Sequence, residues 1–207
     1  MSKMSGQATP ELSVIRSFWK PRAYYTRGYF RTGIWPGNSG VAFLWVLRDY
    51  EIMSSALPTG FEERCRSFVQ KGFAPQSRIL QHPSVGGFLS RCGWNSCMDS
   101  ICAGVPLITW PVSLDQPLNA RFIVNVCKAG VGIKKPDEDY KRGVSRVEVT
   151  RAIQTLMVNG EESQEVRKNV LKLKRQAETA MKEGGSCFTA LHYFAEEISS
   201  LNPISQQ

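Results

Sequence analysis

The residues with the clearest chemistry in this 207-residue chain are Arg91-Cys92-Gly93-Trp94-Asn95-Ser96. They follow a short apolar run, turn at a glycine, and lead through small polar residues into a helical pattern. That is the order of a strand, a turn and a helix N-terminus. Unpaired N–H groups at such an end point outward with the positive end of the helix dipole, an arrangement suited to phosphate. Gly93 lets the backbone approach an anion closely, Asn95 and Ser96 can donate to it or cap the helix, and Arg91 adds a fixed cation with a fork of donors. Taken alone, these residues specify an anion site and nothing finer.

Other chemistry has few carriers. The chain has 2 histidines, His82 and His192, and 6 cysteines, Cys65, Cys92, Cys97, Cys102, Cys127 and Cys187. No cysteines form a CxxC pair and no histidine stands at zinc-ligand spacing, which argues against a metal site. Cys97 and Cys102 are five apart on a helical pattern, hence on different faces, and buried free thiols are the expectation.

The net charge of +8 comes from 26 basic and 18 acidic residues. It fits an anionic small molecule, but RNA or an anionic membrane as well. The basic residues are spread, however. Arg167, Lys168, Lys172, Lys174 and Arg175 alternate with Val166, Val170, Leu171 and Leu173, and a solvated helix face explains them better than a nucleic-acid footprint. No apolar span of membrane length and no signal pattern is read, so no membrane partner and a reducing, cytoplasmic setting are expected, and the spread basic residues argue against a nucleic-acid partner.

The elements that would position the anion turn alternate. A hydrophobic content of 42% supports a globular core in one domain, or one with a tail. Strands are expected at 42–48, 67–72, 85–89, 106–109 and 131–133, the first an apolar run buried on both faces. Helices are expected at 75–81, 95–103 and 116–126, the last with Leu118, Phe122, Ile123 and Val126 on one side. A turn and short helix fall at 57–64, and 134–143 is a charged loop. Strands alternating with helices argue for a doubly wound parallel α/β layer. Three further helices follow: 145–158, opened by a Ser145/Glu148 capping box; 163–182, stopped by Gly184-Gly185; and 189–199, with Leu191, Phe194, Ala195 and Ile198 on one face. Residues 1–38, rich in aromatics and arginine, show no clean period.

From residue 39 on, the ordered string resembles the plant secondary product glycosyltransferase signature of UDP-dependent glycosyltransferases. Ala74-Pro75-Gln76, Ile79-Leu80, His82, Gly87-Phe88, Cys92-Gly93-Trp94-Asn95-Ser96, Gly104-Val105-Pro106, Trp110-Pro111 and Asp115-Gln116 stand in register without a gap. The resemblance implies a Rossmann-like doubly wound sheet, the C-terminal half of a GT-B glycosyltransferase. Residues 39–207 would be the UDP-sugar donor-binding domain and 1–38 an atypical segment. Within the latter, Val14-Ile15-Arg16-Ser17-Phe18 resembles the family's opening strand, with Trp19 where glycine is expected.

The resemblance also implies roles. Phe73 stands where the family has a tryptophan that stacks on uracil; a core aromatic is the plainer alternative. Ala74 and Gln76 match contacts to the uracil edge. Arg91, in place of histidine, faces the diphosphate together with Gly93, Asn95 and Ser96, though helix capping also accounts for the last two. Asp99 replaces a ribose-binding glutamate and is one methylene shorter. Trp94, Asp115 and Gln116 match sugar-binding positions, and a carboxylate and an amide can each pair with two adjacent hydroxyls. A helix N-cap is the alternative for Asp115. Glutamine at 116 points to UDP-glucose as the donor substrate, with no cofactor. The family's catalytic histidine and its aspartate lie in an N-terminal domain, and neither His82 nor His192 matches them, so no catalytic residue is assigned. The expected function is hexosyl transfer, glucosyl foremost, to a small acceptor hydroxyl such as a phenol or flavonoid in plant secondary metabolism. This chain would hold only the donor-binding half and be inactive alone. The alternative is a non-catalytic nucleotide-binding or interaction protein derived from that family.

Overall fold

In the computed structural model, residues 12–17, 40–47, 67–133, 144–158 and 160–201 are described. The expected turn and helix at 57–64, the loop at 134–143 and most of 1–38 lie outside them.

Six strands form one sheet: β1 (Leu12–Ser17), β2 (Ala42–Leu47), β3 (Ser67–Lys71), β4 (Val85–Ser90), β5 (Leu107–Thr109) and β6 (Gly130–Gly132). Their order is β3-β2-β1-β4-β5-β6 and every pairing is parallel. This is the order of a doubly wound dinucleotide-binding sheet. β1 comes from the first 38 residues. It pairs with β2 from Leu12↔Ala42 to Ser17↔Leu47 and, on its other side, with β4.

Among the described residues, the α-helices are α1 (Gln76–Leu80), α2 (Trp94–Ala103), α3 (Gln116–Arg121), α4 (Arg146–Met157), α5 (Glu161–Met181) and α6 (Ser186–Leu201). Successive strand residues point to opposite faces, so the central strands β4 and β5 feed two cores. Phe43, Trp45, Leu89 and Ile108 pack with Val149, Ile153 and Leu156 of α4 on one face. Phe88 and Leu107 pack with Leu80, Cys97, Ile101, Ile123 and Val170 on the other. All six residues of β4 are buried, as a central parallel strand requires. Ser145 Oγ accepts from the Glu148 N–H at 3.2 Å and caps α4, a contribution of about 1 kcal/mol.

One helix departs from expectation. The segment 116–126 is not one α-helix, since α3 passes at Phe122 into a π-helical turn, Phe122–Val126. The buried stripe is Ala120 and Ile123, followed by the half-buried Cys127, while Leu118, Phe122 and Val126 are 72%, 40% and 68% exposed. The expected stripe used an i, i+4 spacing that the widened turn does not carry to the core. The last expected helix is present as α6, whose spacing puts Leu191, Phe194, Ala195 and Ile198 on one face, and no residue of this helix is buried. Among the described residues, no helix is long and apolar enough to cross a membrane.

Candidate functional site

The sheet changes winding direction between β1 and β4, and in such sheets ligands bind in the crevice outside the carboxyl ends of the strands at that point. Arg91–Ser96 continues directly from β4 into α2. Its backbone is fixed by the protein: Ser90 Oγ accepts from Cys92 N at 3.1 Å, and Trp110 N donates to Ser90 O at 2.8 Å. Cys92 is left-handed, with φ 64°, a conformation a residue with a Cβ keeps only when its surroundings impose it. Gly93 is the N-cap residue at φ −59°, and a Cβ there would meet nothing within 4 Å. Its lack of a side chain is thus unrelated to packing among the described residues and leaves the turn open to a ligand. Asn95 and Ser96 are the second and third residues inside α2, so neither is its N-cap. Asn95 is exposed and Ser96 half-buried.

Asp115 and Gln116 lie at the start of α3 and are tied to this turn. Asp115 occupies the N-cap position but makes no capping hydrogen bond. Its Oδ2 accepts instead from Asn119 Nδ2 at 2.7 Å, and the same nitrogen donates to the Cys92 carbonyl at 2.9 Å. Gln116 Oε1 accepts from Val112 N at 2.9 Å and Ser113 N at 3.2 Å. Backbone N–H groups only donate, so the amide oxygen faces the loop and the NH2 group is turned the other way. The pair therefore offers a carboxylate acceptor beside an amide donor. Trp94, 46% exposed, leans on Phe122 with ring centroids 6.2 Å apart, joining the start of α2 to the end of α3.

The residues expected around a nucleoside are arranged differently. Phe73 is 73% exposed, so it is no core aromatic, whereas Ala74 is buried. Phe73, Ala74 and Pro75 border an open apolar hollow of about 400 Å³ with Leu44 and Phe68. Gln76 Nε2 donates to Asp99 Oδ2 and, at 3.4 Å, to Ser96 Oγ; Ser77 Oγ donates to Asp99 Oδ1 at 3.0 Å. Gln76, Ser96 and Asp99 thus form one cluster, with Asp99 drawn back onto α1.

Among the described residues, neither histidine lies in this constellation. Contact with the Cys97 thiol, and then burial, push the Cys92 thiol far above its ordinary range. Cys92 and Cys97 are buried as expected, but Cys102 and Cys187 are exposed. His82 sits before β4, and its Nδ1 accepts from Ser84 N at 3.2 Å. Six strand residues, about 20 Å, separate that end of β4 from the turn at Arg91. His192 pairs with Glu196 at 3.2 Å on the exposed α6. Arg91 is half-buried at the end of β4. Arg167 is no part of a solvated face: it donates to Gly86 O at 2.8 Å and Leu156 O at 2.9 Å, and burial lowers its pKa. Among the described residues, no group of three or more His, Cys, Asp or Glu could hold a metal ion. Asn119 and Ser77 were not foreseen; their spacing on α3 and α1 gives no signal until the turn at 91–96 is folded against them.

Known proteins resemble this chain in sequence and in fold. A sequence profile described as UDP-glucoronosyl and UDP-glucosyl transferase matches residues 37–179. The chain is 43% identical over 169 residues to UDP-glycosyltransferase 73E1 of Stevia rebaudiana, covering 77% of this chain and 33% of that protein. It is 40% identical over 166 residues to scopoletin glucosyltransferase of Nicotiana tabacum, covering 78% and 35%. The chain thus spans about a third of the length of these curated relatives. Among solved structures, it is similar to Os79 from O. sativa in complex with UDP and deoxynivalenol-3-glucoside, with TM-score 0.79, 32% identity, and 91% and 42% of the two chains covered. It is also similar to Phytolacca americana UGT2 complexed with UDP-2fluoro-glucose and pterostilbene, with TM-score 0.76, 30% identity, and 93% and 42% covered.

Proposed function

The chain belongs to the UDP-glucoronosyl and UDP-glucosyl transferase family, and we propose that it is the donor-binding half of such an enzyme, with UDP-glucose as its donor. The observation that carries this reading is the tie between two groups of residues. The turn at Gly93–Ser96 and the acceptor–donor pair Asp115/Gln116 are held together through Asn119, at the carboxyl end of a central strand. A nucleoside diphosphate sugar needs that juxtaposition: N–H groups and a cation for the diphosphate, and beside them an acceptor and a donor for neighbouring hydroxyls. The exposed Phe73 ring supplies a face for the base.

Transfer to an acceptor needs a base within hydrogen-bond reach of its hydroxyl. His82 and His192 are both engaged elsewhere, so the base and the acceptor-holding wall come from residues other than these two. Relatives named for scopoletin and solved with pterostilbene point to small phenolic acceptors for the whole assembly.

Calorimetric titration of the purified chain tests the donor reading. UDP should bind in the micromolar to millimolar range and UDP-glucose more tightly. Arg91→Ala should weaken both by about 1.5–3 kcal/mol, the worth of hydrogen bonds to a charged group. Unchanged UDP affinity in that variant would remove Arg91 from the diphosphate site, and no binding of either nucleotide by the wild type would overturn the reading.

A further inference from the structure

We propose that Asn119 is a positioning residue of the donor site: its amide clasps the diphosphate turn to the sugar-binding carboxylate and fixes how they face each other. The inference rests on the donor reading above. Asn119 is half-buried, one helical turn after Asp115. Its Nδ2 donates to the Cys92 carbonyl at 2.9 Å and to Asp115 Oδ2 at 2.7 Å. An amide nitrogen carries two hydrogens, so both are committed and the plane of the group is set by its two partners.

Each bond has a consequence for the ligand. In a trans peptide the N–H lies antiparallel to the carbonyl. Drawing the Cys92 carbonyl towards α3 therefore sets the direction of the Gly93 N–H, the first amide of the turn, and holds Cys92 in its left-handed conformation. The bond to Asp115 commits Oδ2 and leaves Oδ1 for a hydroxyl. A diphosphate sugar spans both groups, so an error in either orientation falls on the sugar.

The protein contains the same clasp at a second place. Asn169 on α5 donates to the Lys128 carbonyl at 3.2 Å and to Glu165 Oε1 at 3.3 Å. Its acid again stands four residues earlier, and Lys128 is again left-handed, with φ 51°. None of these groups belongs to the donor site, so Asn169 is a matched control that separates positioning from stability.

The ratio of UDP-glucose affinity to UDP affinity, measured by calorimetry on the full chain, is the readout. Asn119→Ala places the best helix former in α3 and is expected to lower that ratio roughly tenfold, the worth of about one hydrogen bond. Asn169→Ala is expected to leave it unchanged. Asn119→Ser, which keeps one donor, is read in the same way and covers a failure of the alanine variant to fold. Hydrogen exchange on the ligand-free protein gives a second readout, with faster exchange at residues 93–96 in Asn119→Ala and not in Asn169→Ala. A wild type that binds neither nucleotide brings down the donor reading and this inference with it. A wild-type ratio that survives Asn119→Ala, or exchange at 93–96 that stays the same, brings down the inference alone.

Discussion

The two ends of the donor site are held by different partners. At the sugar end the polar side chains are anchored to backbone: Gln116 Oε1 to the Val112 and Ser113 N–H groups, and Asp115, through Asn119, to the Cys92 carbonyl. At the nucleoside end they are bonded to one another, Gln76 and Ser77 to Asp99 and Gln76 to Ser96. A backbone anchor leaves the working atoms in place before any ligand arrives, and such preorganisation cuts the ordering cost of binding. A cluster of mutually bonded side chains must share or break its hydrogen bonds for the ligand, each worth about 0.5–1.5 kcal/mol net. The sugar end should therefore discriminate and the nucleoside end should bind weakly.

The largest effect that could break this contrast is Asp115→Ala. It removes a charged acceptor and strands one Asn119 hydrogen. UDP-glucose should lose about 2–3 kcal/mol of affinity, whereas UDP, which has no sugar to reach Asp115, should lose almost none. Titration of one variant with both nucleotides settles the matter. An equal loss for both would mean that the ends are not independent, and that Asp115 supports the turn rather than the sugar.

A smaller change sharpens the other side. Asp99 is bonded to residues of α1, and its carboxylate is one methylene shorter than the glutamate of the resembled signature. Asp99→Glu carries the carboxylate past Gln76 and Ser77, and UDP affinity should rise by about 1 kcal/mol, one net hydrogen bond. The gain should vanish with 2′,3′-dideoxy-UDP, which lacks the ribose hydroxyls. A gain that persists with that analogue would place the new contact elsewhere.

How much of this was legible in the sequence depends on the distance over which each feature is decided. The strand–turn–helix around 91–103 and the alternation that predicts a parallel sheet are local, and the structure repeats both to within a residue or two. The central place of β1 is not local. Leu-Ser-Val-Ile-Arg-Ser is half polar, and it is fixed as a strand by pairing with β2 and β4 across tens of residues. The same holds for Asn119, whose carbonyl partner lies 27 residues away. Of the expected stripe Leu118, Phe122, Ile123 and Val126 only Ile123 is buried, and hydrophobic spacing carries no sign of the π turn that begins at Phe122. That Cys92, and not the adjacent glycine, takes the left-handed backbone was equally hidden, since residue type predicts the reverse.

The smallest expected effect tests whether the nucleoside end includes Phe73 at all. Its ring is 73% exposed, and base stacking on an aromatic is worth about 1–3 kcal/mol by removal of the ring. Phe73→Trp enlarges the face without taking the indole N–H out of water at so open a position, so no buried donor offsets the gain. The added area should improve affinity about two- to threefold, a few tenths of a kcal/mol to somewhat more. Uridine and UDP should gain by the same factor, because the ring meets only the base, and glucose 1-phosphate should gain nothing. Competition against a fluorescent UDP analogue resolves factors of this size. If uridine is unmoved, Phe73 is a rim residue of the apolar hollow beside it and the base lies elsewhere. If glucose 1-phosphate also gains, the two ends are coupled through α1 and α2, and the contrast between them is weaker than their hydrogen bonds imply.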